Sequence, residues 1–228
     1  VNVIPFDNIL SDVTPETYRR NLEPAAQANI NMLRVWGGGI YETDEFYRQC
    51  DSLGLMIWQD FIFSCTMYPS EGQLLETMRE EFADNIRRIR NHPSLALWCG
   101  SNELEYSWAS KKLRTMNTQE NMDKIWQMYL DQNKAIQEAL DTLCPEICYQ
   151  PSSPFRGYGK NKSPYEGDYH SWSVLSGSKP ITYFEEGFSR FYSEYGYESF
   201  DYYESLVKYA PRKEDQSIYS DVMLWHQR

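Results

Sequence analysis

The sequence predicts an α/β fold built on parallel strands, and three observations predict it. Short apolar runs alternate with amphipathic helical stretches along the 228 residues, a spacing that gives parallel strands joined by crossover helices. Several runs end abruptly in polar or charged residues, as strands buried on both faces do where they leave the core. The glycines do not form a dinucleotide fingerprint: Gly37-Gly38-Gly39 has the wrong spacing and no ribose-binding acid follows it.

Each element follows from local signals. Val1 to Ile4 is an apolar stub closed by Pro5. Thr14-Pro15-Glu16 supplies a capping hydroxyl, a proline at the first helical position and an acid in the first turn. That helix is expected to run to about Ala28, kinked or divided at Pro24. Asn31 to Trp36 is a strand, and Glu42 to Leu53 a helix stopped by Gly54. Leu55 to Trp58 is the next strand, running into Gln59-Asp60. Gln73 to Arg90 is a long helix with Leu74, Met78, Phe82, Ile86 and Ile89 near helical spacing. Asn91-His92-Pro93 breaks it before the strand Leu95 to Cys99. Glu120 to Leu140 is helical, Ile147 to Gln150 a short strand, and residues 151–167 a loop rich in Pro, Ser, Gly and Lys. Strands at Asp168 to Trp172 and Arg190 to Tyr195 flank a weakly helical connection, Pro180 to Gly187. Ser199 to Tyr209 is helical or mixed, and the tail to Arg228 is helical at its end. The count is seven strands, one short of a TIM (β/α)8 barrel.

Composition narrows the function. A net charge of −11 argues against nucleic acid and anionic membrane surfaces as partners and leaves room for a neutral substrate. No run approaches the ~20 apolar residues of a membrane span. The 18 Tyr and 7 Trp suit a protein that stacks flat rings on a ligand, although such rings also pack ordinary cores. The five cysteines are odd in number and scattered, as structural thiols are. Cys144 and Cys148 have the spacing of a metal pair, but no matching His/Cys pair lies nearby, so no metal site or cofactor is expected. The chain opens without an initiator methionine, inside a strand-like run, and is expected to be an internal piece of a longer protein.

Two carboxylates carry the chemistry. Glu103 closes the run Leu95-Ala96-Leu97-Trp98-Cys99-Gly100-Ser101-Asn102 at the end of the fourth strand. Glu194 closes Phe191-Tyr192-Ser193 at the end of the seventh. In a parallel barrel these strand ends face one another across the mouth where chemistry is done. Two carboxyl groups ~5 Å apart cleave a glycosidic bond with retention, one attacking the anomeric carbon while the other protonates the leaving oxygen. Both are also two among 33 acids, most of which serve a solvated surface.

Three stretches resemble glycoside hydrolase family two, in its β-mannosidase branch. They are Asn31 to Glu42, with Arg34, Trp36 and the triple glycine; Arg90 to Leu95 leading to Asn102-Glu103; and Ser193-Glu194-Tyr195-Gly196. Asp51 to Phe61 is similar too, so the resemblance covers almost the whole chain in order. It implies a single catalytic barrel domain over residues 1–228 that hydrolyses terminal non-reducing β-D-mannose by double displacement. Glu103 would be the acid/base and Glu194 the nucleophile. Asn102 would bond the sugar 2-hydroxyl, and Arg34 would lie beneath the nucleophile, or serve as a structural ion-pair residue. Trp36 would be a substrate platform or a core tryptophan. Asp60 would lie near the pocket floor, binding substrate or supporting Arg34. In Gly167-Asp168-Tyr169-His170-Ser171-Trp172, His170 and Trp172 would face the pocket or pack, and Ser171 replaces a more usual aromatic. His92 is expected to be structural, at the far end of the barrel.

The catalytic cycle would start with Glu103 protonated and Glu194 ionised, the latter favoured by Arg34. The resemblance further implies β-sandwich domains elsewhere in the parent chain, an eighth strand beyond this sequence and no cofactor. The partner would be a β-mannoside or another oligosaccharide. Periplasmic or otherwise non-cytoplasmic in a glycan-degrading bacterium, or lysosomal, are the settings it suggests. The alternatives are another family-two activity, such as β-galactosidase or exo-glucosaminidase, or an inert, glycan-binding barrel fragment.

Overall fold

A computed structural model describes residues 1–155, 165–176, 178–186, 189–197 and 202–226. Most of the predicted 151–167 loop, the start of the 199–209 helix and the last two residues lie outside these. Contacts group the chain into two compact units, Val1–His170 with Phe188–Glu194, and Ser171–Gly187 with Tyr195–Arg228.

The first unit is a five-stranded parallel sheet of β1 (Asn2–Val3), β2 (Met32–Val35), β3 (Met56–Asp60), β4 (Leu95–Cys99) and β5 (Cys148–Gln150), in sequential order. Its crossovers are α1 (Pro15–Gln27), α2 (Asp44–Leu53), α3 (Gly72–Ile89), and then α4 (Leu104–Ala109), α5 (Lys111–Met116) and α6 (Gln119–Leu143). The sequence signals behind them operate as expected. Thr14 and Thr17 form a reciprocal capping box at α1. Gly54 ends α2 in the left-handed conformation at φ 70°.

Two expectations are corrected and one unassigned stretch is filled. Helix α1 runs unbroken through Pro24: the proline has no N–H for the Arg20 carbonyl, but its own carbonyl accepts from the Ala28 N–H at 2.9 Å and the helix continues to Gln27. The short helices α4 and α5 fill a stretch that periodicity could not resolve, because six residues give under two turns. The seven strands are present, but β6 (Tyr169–Ser171) and β7 (Tyr192–Tyr195) form a separate two-stranded sheet. Between β5 and β6 the buried Asp168 carboxylate replaces the backbone ladder, bonding Gln150, Ser153 and the Phe155 N–H. On the other side, the Asn2 amide on β1 donates to the Ser193 carbonyl on β7 at 3.0 Å.

The core lies between sheet and helices. Phe61 stacks on Trp98 with ring centres 5.2 Å apart and meets Phe82 of α3 edge-on at the same separation. Phe46, Ile57, Ile86, Ile89, Leu104 and Ile136 are fully buried around them. His92 lies before β4, its Nδ1 2.6 Å from Asp51 of α2, a structural tie at the end opposite the polar strand tails. All five cysteines are free.

The second unit carries α7 (Tyr183–Glu186), α8 (Tyr203–Tyr209) and α9 (Asp221–Trp225), and its buried residues include Val174, Ala210 and Met223. Tyr209 stacks on His226 at 4.2 Å.

Candidate active site

The C-terminal ends of β2, β3 and β4 carry one connected polar cluster. Arg34 on β2 is 3% exposed and its guanidinium is fully engaged. Nε and Nη2 donate to Asp60 at 3.3 and 2.8 Å, Nη2 also to Asn102 Oδ1 at 2.8 Å, and Nη1 to Glu194 Oε1 at 2.8 Å. The Trp58 ring lies under it at 5.2 Å. Asp60 in turn accepts from the Trp58 indole and from the Gly37 N–H. Gly37 makes that approach feasible, since a Cβ there would fall 2.5 Å from the Phe63 carbonyl. The burial of Arg34 alone would favour its neutral form. The Asp60 and Glu194 charges outweigh this and keep it cationic.

Backbone bonds fix Asn102 and Glu103 from both sides. Asn102 N–H donates to the Phe63 carbonyl, its carbonyl accepts from Cys65 N–H, and Glu103 N–H donates to the Ser153 carbonyl at 2.8 Å. Glu103 itself has φ 56°, a left-handed conformation that costs a non-glycine residue about 1–3 kcal/mol. That turn converts β4 into α4 and points the carboxyl group into the cluster.

His170 on β6 joins the two carboxylates. Its Nδ1 is 2.7 Å from Glu103 Oε1 and 3.2 Å from Glu194 Oε2. One oxygen of each glutamate and a His170 ring nitrogen lie within 4.8 Å of one another. These three groups are close enough to hold a cation, and Arg34 already supplies a positive charge to Glu194.

Burial and the imidazole act on the two acids in opposite senses. Burial works to raise the Glu103 carboxyl, but the hydrogen bond and charge of His170 outweigh it and hold it below the ordinary range. Burial pushes Glu194 above that range; His170 and Arg34 pull the other way and Glu103 adds to the rise. The expected protonation rests on Arg34 beside Glu194, whereas burial and the imidazole lodged between the acids act as well.

The structure thus brings together Arg34, Asp60, Asn102, Glu103, His170 and Glu194. Trp36 follows β2, half-buried, with its indole folded over Gly38. Trp172 belongs to the second unit, where its ring faces Gly196. Sequence reasoning missed Cys65, whose thiol is 3.7 Å from Glu103 Oε2 and 3.5 Å from the Asn102 amide. It also missed Ser153 and gave Asp168 no role. Asp168 was discoverable from its place beside His170; a lone serine or cysteine in a loop carries no comparable signal.

A family model described as glycosyl hydrolases family 2, TIM barrel domain, matches residues 26–153, more than half of the sequence. The chain belongs to glycosyl hydrolase family 2. Its five sequential parallel strands are staves of an incomplete TIM barrel. Beta-mannosidase B of Neosartorya fischeri is 36% identical over 99% of this chain. The crystal structure of a β-D-mannosidase from Dictyoglomus thermophilum matches the whole chain at 35% identity with a TM-score of 0.89. A Bacteroides uniformis β-glucuronidase, 17% identical over 65% of the chain at a TM-score of 0.53, shares the fold. The family-2 segment spans 27% of the length of the two mannosidases.

Proposed function

We propose that this family-2 barrel hydrolyses terminal, non-reducing β-D-mannose residues with retention, through a glycosyl-enzyme intermediate. The observation that carries the reading is the approach of the Glu103 and Glu194 oxygens to within 4.8 Å. Retaining glycosidases hold their two carboxyl groups ~5–5.5 Å apart, whereas inverting ones leave roughly 6.5–9.5 Å for a water molecule. Mannose as the sugar rests on the relatives, which are mannosidases over the matching segment.

In this reading Glu194 attacks the anomeric carbon, and the C–O bond breaks with its electron pair leaving on the aglycone oxygen. Glu103 protonates that oxygen. Glu103 then takes a proton from the water that releases the sugar from Glu194. Arg34 orients Glu194 through one nitrogen and Asn102 Oδ1 through another; Asn102 Nδ2 gives one hydrogen to the Cys65 thiol and keeps its second for the sugar 2-hydroxyl. That hydroxyl is axial in mannose, so its position distinguishes mannosides from glucosides. Asp60 supports the guanidinium. Trp36 and Trp172 remain proposed as sugar-facing rings, and β-sandwich domains as further parts of the full-length protein.

The test is Glu194→Ala in the full-length protein. Turnover of an aryl β-mannoside should vanish and azide should restore it, giving the α-mannosyl azide. Turnover like that of the wild type would refute the assignment. A panel of aryl glycosides checks the sugar: a preference for galactoside by orders of magnitude would replace mannoside with another family-two activity.

A further inference from the structure

The hydrogen bonds behind His170 have a direction that can be worked out from one end. Asp168 is buried, and as a carboxylate it only accepts. Its Oδ1 receives the Phe155 N–H and the Gln150 amide, both at 2.7 Å. The Gln150 orientation is fixed, because the same nitrogen also meets the Ser152 carbonyl at 2.8 Å. Oδ2 receives the hydroxyls of Ser153, at 2.6 Å, and Ser193. Ser153 has one proton and spends it on Asp168. Toward His170 Nε2, 2.9 Å away, Ser153 Oγ therefore accepts, and Nε2 carries a hydrogen.

The consequence falls on the opposite nitrogen. With Nε2 protonated, a neutral imidazole presents a lone pair at Nδ1. An ionised Glu103 would face it with another lone pair at 2.7 Å, an arrangement without an attractive term. One proton must lie between Nδ1 and Glu103 Oε1, carried by either atom. Ser153 is fully buried and Asp168 nearly so, so no bulk water competes for these bonds.

We propose that Asp168 and Ser153 are positioning residues that pin the His170 tautomer, so that Glu103 and His170 share a single proton and act as one joint acid. The proposal rests on the glycosidase reading and deepens it. When the shared proton leaves with the aglycone oxygen, which keeps the electron pair of the broken C–O bond, a Glu103 carboxylate faces the Nδ1 lone pair. That repulsion makes Glu103 a stronger base for the water that follows. The groups facing this pair are Glu194 on β7, with Arg34 of β2 behind it, Cys65 at Glu103 Oε2, and Asp168 behind Ser153. Tyr106 is near enough for the Glu103 and Asp168 charges to act on it, and burial holds it neutral.

Nearly isosteric changes separate the pinned tautomer from the free one. In Asp168→Asn the single amide oxygen stays with the Phe155 N–H, and the new NH2 donates to Ser153. Ser153 must then donate to Nε2, which moves the ring proton to Nδ1 and leaves Glu103 ionised as its partner. The joint acid is lost. The experiment compares kcat/KM of the full-length protein on two aryl β-mannosides. One has a dinitrophenyl leaving group that needs no proton; the other has a poor, unsubstituted phenyl group. Asp168→Asn should lose roughly 10²-fold or more on the phenyl substrate and little on the dinitrophenyl one. Ser153→Ala should show a smaller loss of the same kind, with its basic pH limb shifted, and Ser153→Thr should restore the hydroxyl and the limb. Equal losses on both substrates, or none in either variant, would overturn the relay. Glu103→Ala is the control. If it shows the leaving-group discrimination and Asp168→Asn does not, the relay alone fails. If it shows none, the acid assignment fails and takes the relay with it.

Discussion

Replacing Arg34 with Met removes the one guanidinium that touches Asp60, Asn102 and Glu194 together. Its charge is among the influences that lower the Glu194 carboxyl, against the burial that raises it. Taking it away must move Glu194 further up, so the ionised nucleophile appears only at higher pH. Unit charges about 4 Å apart interact by about 4 kcal/mol at an effective dielectric of about 20. At 1.36 kcal/mol per pH unit that is about three units, and neighbouring charges usually move a carboxyl by about 1–3. The acidic limb of kcat/KM, which reports the free enzyme, should therefore rise by about 1–3 units on an aryl β-mannoside, with turnover reduced. Asp60 is also left buried without its cation, a loss of about 3–5 kcal/mol. Each variant therefore needs a melting curve to confirm that it is folded at the assay temperature. Arg34→Lys keeps the charge without the fork and should move the limb less. An unchanged acidic limb with normal turnover in the folded Met variant would show that Arg34 is a structural ion-pair residue and nothing more.

Two further outcomes test the scaffold. Gly37→Ala would bring a Cβ to 2.5 Å from the Phe63 carbonyl and displace the N–H that bonds Asp60; it should lower the melting temperature and reduce kcat together, whereas a neutral change would show that the loop yields. Asp51 tests the far end: burial works to raise its carboxyl, but bonds from Ser94 and His92 outweigh this and hold it below the ordinary range. Its stabilisation is present above the unfolded-state value and disappears as pH falls through the folded one. The wild type should be more stable than Asp51→Asn at neutral pH, with the difference closing in acid; a difference that grew in acid would reverse the assigned sign.

Much of the site was legible because it lies on strand ends, where a short apolar run stops at a polar residue. Asp60, Glu103 and Glu194 are found this way, Arg34 inside the second strand came only from the resemblance, and the order of strands put them on one rim. Local capping signals at Thr14 and Gly54 fixed helix ends to within a residue or two. The same reasoning failed where an element is too short for periodicity to register, as in α4 and α5, and at Pro24, where one missing donor does not end the helix.

By itself the sequence determined the alternation of strands and helices and the two carboxylates at strand ends, since each is written in consecutive residues. Only the tertiary structure decided what those groups do to one another. The placement of His170 between Glu103 and Glu194, the thiol of Cys65 beside the acid, and the hydroxyl of Ser153 behind the imidazole join residues from separate strands and loops. Where a proton resides depends on distances of a few tenths of an ångström and on burial, which spacing along the chain does not encode. The surroundings that shift the two acids are therefore ones that their motifs alone did not reveal.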